Sequence, residues 1–322
     1  MASDKVTVQG TNVDATVARL SAINLGYFKD PFTTAFVKMR SAQRKPPIIN
    51  RGTYTRFSAI QKLVTSFLRS SPNPALDRQI ICLGAGFDTR FFMLKVENIQ
   101  PKLHIDIDFP EVTSRKAQII KKNKEMAGLL GNHVLAAGGS EIHGDEYCLL
   151  SGDLTQWNSE IVPKLMNVGF DPSVPTLILA ELVYVYMPPE FVQDILVWSV
   201  SAVTSSVMIN YDLINPHDSF GKMMMDNLKM RKIMLPGLLA YPSLECQKKR
   251  FFDSGYVLNA TAVTMLDQYE IHTPLEERHR VSKVEMFDEV EEWQLMASHY
   301  CIAWACQSRD SLPQDWMSKL SL

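Results

Sequence analysis

Five acidic side chains stand at or just past the ends of apolar runs. They are Asp88 in ICLGAGFDTR, Asp106 and Asp108 in KLHIDID, Asp153 in YCLLSGD and Glu181 in TLILAEL. Carboxylates brought together repel unless a cationic or hydroxyl-rich group sits among them. The first run also holds Gly84 and Gly86 in what reads as a nucleotide loop, but Thr89 stands where such a loop carries its third glycine. A pyrophosphate needs backbone N–H groups and a helix N-terminus, and Asp88 would repel it. The pattern therefore argues against a dinucleotide-dependent dehydrogenase.

A phosphate-free nucleoside ligand fits the same residues better. S-adenosylmethionine offers a ribose diol, an adenine amine, a sulfonium, an ammonium and a carboxylate. Asp108 lies 24 residues after Gly84, the distance expected of an acid that takes both ribose hydroxyls. Asp153, after the third strand, is placed to accept from the adenine amine, and Glu181 to hold the amino-acid end near the sulfonium. Gly84 and Gly86 let the backbone come close to the ligand. Asp88 reads equally as a helix N-cap, and Asp106 as a solvated strand end. His104, Asp106 and Asp108 alternate on one strand face, yet no second His–acid cluster lies near them in sequence, so no metal is expected.

The elements that must position these residues follow from periodicity. Strands are expected at QIICLG, Lys102–Asp108, Tyr147–Asp153, Thr176–Leu182 and Val207–Asp212, with helices between them at Thr89–Val96, Glu111–Leu130, Ser159–Val168 and Pro189–Val203. Alternating strands and helices predict an α/β fold with a parallel sheet and right-handed crossovers. Ahead of the first strand, helices are expected at Asp14–Leu25, Thr33–Arg40 and Thr53–Arg69, with the first ten residues loose and RKPPIINRG a loop. A mostly helical stretch runs from Pro216 to Phe252, and a helix (Asp288–Ser298) and a strand (Tyr300–Cys306) close the chain. Ala136–Glu146 reads as a surface loop.

Composition sets outer bounds. The 322 residues are 46% hydrophobic and 21% charged with a net charge of −2, an ordinary globular balance that gives no reason to expect a nucleic-acid partner. The longest apolar run, Val174–Met187, is too short to cross a bilayer and carries Glu181. No secretory leader pattern opens the chain. Five cysteines without C-x-x-C spacing suit a reducing compartment, so a cytoplasmic protein is expected.

At this point longer segments add to the loop. LGYFKDPF, INRGTYTRF, LGAGFDTR, IDFPEV, GDL, LILAELVYVYM, INYD, FGKMMMDNL and HYCIAWA occur in order from about Asp14 to Ala305. In these segments the sequence resembles the leucine carboxyl methyltransferase family. The resemblance implies a class I S-adenosylmethionine-dependent methyltransferase fold: a Rossmann-like, mostly parallel seven-stranded sheet with a helical N-terminal and insertion lid. As one methyltransferase domain over 1–322, it divides into an N-terminal helical lid (1–75), a nucleotide-binding core (76–214), a helical insertion (215–255) and a C-terminal completion of the sheet (256–322). It also implies the reaction: methyl esterification of the C-terminal leucine α-carboxylate of the protein phosphatase 2A catalytic subunit, which regulates that phosphatase's holoenzyme assembly. The partner would be read through its tail and its folded surface by a monomeric enzyme.

Cofactor contacts carry over by motif. Arg56 resembles the arginine that pairs with the carboxylate of S-adenosylmethionine, Gly84 the glycine under the cofactor, Asp108 the ribose acid, Asp153 and Leu154 the adenine pair, and Glu181 the acid of the fourth strand. Where family members carry Cys-Lys, this chain has Ala18-Arg19, which keeps the charge on a different shape. A carboxylate acceptor is already ionised at neutral pH, its pKa being about 4, so no general base is required. Tyr186, Arg56 and Arg19 are the candidates for steering it, with Tyr186 alternatively a packing residue. The Met-rich insertion suits peptide recognition or, for part of its residues, plain helix core. A small-molecule O-methyltransferase on the same fold and a non-catalytic cofactor-binding module remain the alternatives.

Overall fold

The computed structural model describes residues 5–38, 43–309, 317 and 320–322. Five β-branched and apolar runs become the parallel centre of one sheet: β1 (Gln79–Leu83), β2 (Leu103–Asp108), β5 (Tyr147–Ser151), β6 (Thr176–Glu181) and β7 (Ser205–Leu213). Two more segments, β3 (His133–Ala136) and β4 (Glu141–Gly144), form an antiparallel hairpin on one edge; β8 (Asn259–Thr264) and β9 (Tyr300–Ser308) complete the other. The order is β3-β4-β5-β2-β1-β6-β7-β9-β8. Without the hairpin this is the expected seven-stranded, mostly parallel sheet. The order reverses at β1, which pairs parallel with β2 on one side and β6 on the other. Ligands in such sheets bind beyond the strand ends at that switch point.

Alternate residues of each strand serve opposite faces. Ile80 and Cys82 of β1, Leu177 and Leu179 of β6 and Val207 and Ile209 of β7 pack on Ile60, Leu63, Val64 and Phe67 of helix α2 (Pro47–Arg69). Ile81, Leu83, Ile105, Ile107 and Ile178 pack on the other side against Trp157, Leu165 and Trp198. Burial on both faces explains why these strands read as continuous apolar runs rather than alternating ones.

Several boundaries differ from the expectation, each for a physical reason. Helix α1 spans Lys5–Leu25, so the chain is helical well before Asp14. Helix α2 begins at Pro47, inside the expected loop: proline is tolerated in the first helical turn, where its missing N–H has no partner to lose. The expected helix from Thr33 is a single 3-10 turn, Thr33–Phe36, and Met39–Ala42 lie outside the described residues. The expected helix Glu111–Leu130 is two, Pro110–Lys122 and Lys124–Leu129, divided at Asn123, which leaves the helical region and caps the second by accepting from the Met126 N–H at 3.1 Å. Ala136–Glu146 is not a loop but most of the β3–β4 hairpin. Its Gly138 and Gly139 turn the chain, and Glu141 and Ile142 are buried. Strand β8 had no strong sequence signal, since NATAVT is only half-buried along its length.

Candidate active site

The glycine turn after β1 is held open by two left-handed residues, Gly84 (φ +55°) and Gly86 (φ +49°). A side chain at either would also collide. A Cβ on Gly84 would lie 2.7 Å from Cγ2 of Val183, and one on Gly86 would lie 2.5 Å from Oδ1 of Asn12. Asn12 belongs to α1, and its Oδ1 accepts from the Phe87 N–H at 3.1 Å. The N-terminal helix therefore sits directly on the turn.

Between them lies a cavity of about 370 Å³, within the range typical of small-ligand sites. Its walls bring together Gly84, Asp108, Asp153, Leu154, Glu181, Tyr186, Arg19 and Arg56, every residue that the sequence singled out for the site. Asp106 is the exception among the strand-end acids. It is sealed below the cavity floor, where Lys116 Nζ (2.7 Å), Tyr147 Oη (2.8 Å) and His104 Nε2 (3.1 Å) surround it. It is not a solvated strand end. Burial alone would raise its pKa, but the Lys116 ammonium and the hydrogen-bonded His104 ring outweigh that and hold it well below the ordinary carboxylate range. Cys82, His104 and Asp106 place ligand atoms within 4.8 Å of one another, yet Lys116 already supplies Asp106 with a buried cation.

Asp108 is in the opposite state. Its Oδ2 accepts from the Gly86 N–H and its Oδ1 from the Phe109 N–H, both at 2.7 Å. Burial pushes its pKa up to about 6, and the two backbone N–H groups offset only part of the rise. Asp153 shapes the next turn, its Oδ1 accepting from the Thr155 N–H at 3.0 Å, and Leu154 is buried beside it.

Cations that the sequence could only nominate fall into place around Glu181. Arg56 donates from Nε to Glu181 Oε1 and stacks its guanidinium over Tyr211, 4.8 Å from the ring centre. Leu182, next to Glu181, takes φ +56°, a left-handed conformation unusual for a branched residue, and turns the chain away from the strand. Arg19 reaches the cavity from α1. Its Nε donates to Asp30 at 3.0 Å and its guanidinium lies 4.9 Å over the Phe57 ring, while its buried Nη2 has no hydrogen-bond partner among the described residues. Tyr186 stands on a 3-10 turn after β6, and burial pushes its hydroxyl pKa up.

The insertion borders the cavity through one apolar cluster, in which its Met224, Met225 and Leu228 pack with Leu182 and Tyr186 of the cavity wall. Its helices are Ser219–Met230, Pro236–Ala240 and Leu244–Asp253, with Ile233, Leu235 and Leu238 packed against Val185 and Leu213. None of them lines the cavity among the described residues. An exposed ion pair, Arg231 to Asp14 at 3.3 Å, links the insertion to α1. Three contributors were missed in the sequence: Asn12, Val183 and Arg90. Asn12 lies between the first ten residues, read as loose, and the helix expected from Asp14. Arg90 was quoted only as the end of a motif, yet it is fully buried and pairs with Asp88. Thr89 occupies the position before the helix Arg90–Val96 without a side-chain cap bond, and Asp88 does the capping, its Oδ1 accepting from the Arg90 N–H at 2.6 Å.

This sheet order, with a glycine turn and strand-end acids around a cavity at the switch point, defines a class I S-adenosylmethionine-dependent methyltransferase. A family model described as "Leucine carboxyl methyltransferase" matches residues 8–200, more than half of the chain. A relative from Arabidopsis thaliana, "Leucine carboxyl methyltransferase 1 homolog", is 38% identical over 308 residues, covering 94% of this chain and 90% of its own. The human "tRNA wybutosine-synthesizing protein 4" is 35% identical, but the match covers 92% of this chain and only 43% of that protein. Among solved structures, a duf574 family protein from Streptomyces avermitilis shares the fold at a TM-score of 0.52 and 12% identity, over 89% of this chain and 95% of its own. The chain belongs to the leucine carboxyl methyltransferase family, and with it to the enzymes that use S-adenosylmethionine to methylate a carboxylate. No helix among the described residues is long and apolar enough to cross a membrane.

Proposed function

We propose that the chain methyl-esterifies the α-carboxylate of a C-terminal leucine on the catalytic subunit of protein phosphatase 2A, and so regulates that enzyme's assembly. The observation that carries the reading is the make-up of the cavity: a carboxylate held only by backbone N–H groups, Asp108, beside a glycine turn, in one lining with two guanidinium groups, Arg19 and Arg56. The residues fit S-adenosylmethionine on two counts. Gly84 presents bare backbone in the cavity wall, since Val183 leaves no room for a side chain there, and the buried Nη2 of Arg19 lacks a partner that a carboxylate would supply.

In this reading Asp108 takes the ribose hydroxyls, Asp153 and the Leu154 backbone the adenine, and Glu181 the ammonium. Arg19 and Arg56 hold the amino-acid carboxylate. Bound S-adenosylmethionine supplies an electrophilic methyl group on a sulfonium. What remains for the protein is placement, since a leucine carboxylate arrives ionised. Tyr186 donates a hydrogen bond that aims the acceptor carboxylate, and the raised pKa keeps its proton available. Met187, Val183 and Phe109 keep water from the reacting atoms. Alignment of this kind is worth roughly 7–11 kcal/mol in favourable cases. The N-terminal helical segment (1–75) acts as the lid over the nucleotide-binding core (76–214). The insertion (215–255) offers Met223 and Met230, both exposed, as an apolar surface for the folded partner.

The test is transfer of labelled methyl from S-adenosylmethionine to the phosphatase catalytic subunit with and without its last leucine. Label on the intact subunit alone is the expected result. Label on the leucine-less subunit overturns the assignment of the acceptor.

A further inference from the structure

Glu181 is gripped from two sides. Oε1 accepts from Nε of Arg56, and Oε2 faces Nη2 of Arg90 at 3.6 Å. Arg90 opens the helix Arg90–Val96, its side chain is 0% exposed, and it is anchored by Asp88. Four charges thus alternate in sign in one chain of contacts: Asp88, Arg90, Glu181, Arg56. Arg90 has no contact with the cavity itself, whereas Asp88, Glu181 and Arg56 all line it. Its Nε and Nη2 find no hydrogen-bond partner among the described residues.

An isolated carboxylate and guanidinium prefer a two-pronged pairing that uses two N–H groups of the arginine. Glu181 does not take both prongs of Arg56 here, because its second oxygen is drawn toward Arg90. Arg56, a lining residue of the cavity, therefore spends only its Nε on Glu181.

We propose that Arg90 is a positioning residue for the amino-acid end of the cofactor: it holds Glu181 away from a two-pronged pairing with Arg56, which leaves both groups able to receive that end. This rests on the cofactor placement given under Proposed function. Without Arg90, Glu181 would close onto Arg56 and the two would neutralise each other. The adenosine end, held at Asp108 and Asp153, would be untouched.

The experiment is calorimetric binding of two probes, S-adenosylhomocysteine, which carries the amino-acid end, and 5′-methylthioadenosine, which lacks it. Arg90→Met should weaken S-adenosylhomocysteine by roughly thirtyfold, the low end for truncating one partner of a buried charge pair, and leave 5′-methylthioadenosine unchanged. Arg90→Lys, which keeps the charge without the fork, should show the same selectivity with a smaller loss, and it carries the test if the methionine variant does not fold. In a Glu181→Gln background the Arg90 substitutions should add little, since both act on one contact. Equal weakening of the two probes, or weakening of neither, overturns the proposal. Asp108→Ala serves as the separate control: it should weaken both probes, and if it weakens neither, the cofactor placement itself fails whatever Arg90 does.

Discussion

Asp106 and Asp108 sit two residues apart on one face of β2, and their surroundings have opposite consequences. Asp106 is enclosed by an ammonium, a phenol and an imidazole that meet its charge on the spot. Asp108 has two backbone N–H groups and no adjacent cation among the described residues, so burial raises its pKa to about 6. A buried acid that is fully paired stabilises the fold. A buried acid left short of partners carries a cost in the free protein that a bound ligand can relieve.

The contrast predicts different failures. Lys116→Met should be the most damaging change, destabilising the protein by about 3–5 kcal/mol, because it strands Asp106 in the interior without its cation. Urea unfolding measures it, and a neutral outcome would mean that Asp106 is not dependent on pairing. Asp108→Ala should leave urea stability nearly unchanged or improved while weakening S-adenosylhomocysteine by about 10–100-fold, the value of hydrogen bonds to a charged acceptor. If it unfolds the protein as Lys116→Met does, the distinction between the two acids collapses.

The two acids also differ in sign with pH. Asp108 has a raised folded-state pKa, about 6 against about 3.9 unfolded, so its contribution to stability is full below pH ~4 and is lost as pH rises through about 6. Asp106 is held low, so its contribution is present above pH ~4 and is lost in stronger acid. A ligand that needs ionised Asp108 should bind about tenfold more weakly at pH 5 than at pH 7. Calorimetry at the two pH values checks this. Asp212 also titrates near 6, beneath the insertion, where burial raises it and Arg250 opposes the rise. Asp212→Asn should therefore keep the same binding profile. Arg19→Lys should be the mildest change, a few-fold loss in cofactor affinity, because the charge stays while the stacking on Phe57, worth about 0.5–1 kcal/mol, goes.

Much of the site was legible before any coordinates. Gly84, Asp108, Asp153 and Glu181 could be read because strand ends, turn residues and acid spacing are local patterns. Arg56, Arg19 and Leu154 came through the family resemblance, since nothing local marks a helical arginine as a ligand. Asp106 and Asp108 could not be told apart, because the decisive partners, Lys116 and Tyr147, arrive from a helix and a neighbouring strand. The β3–β4 hairpin was read as a loop because short, half-exposed edge strands with glycines carry little hydrophobic signal.

The amino-acid sequence by itself determined the class: short continuous apolar runs, helices between them and a glycine turn allow little besides a parallel sheet with a nucleoside site at its strand ends. Only the tertiary structure decided how each charge is used. It placed Arg90 behind Glu181, Lys116 under Asp106 and Asn12 on the glycine turn. The reason is range. Backbone geometry is set by neighbours in the chain, whereas the state of a buried charge is set by whichever group packs within a few ångströms, however far away it lies in sequence.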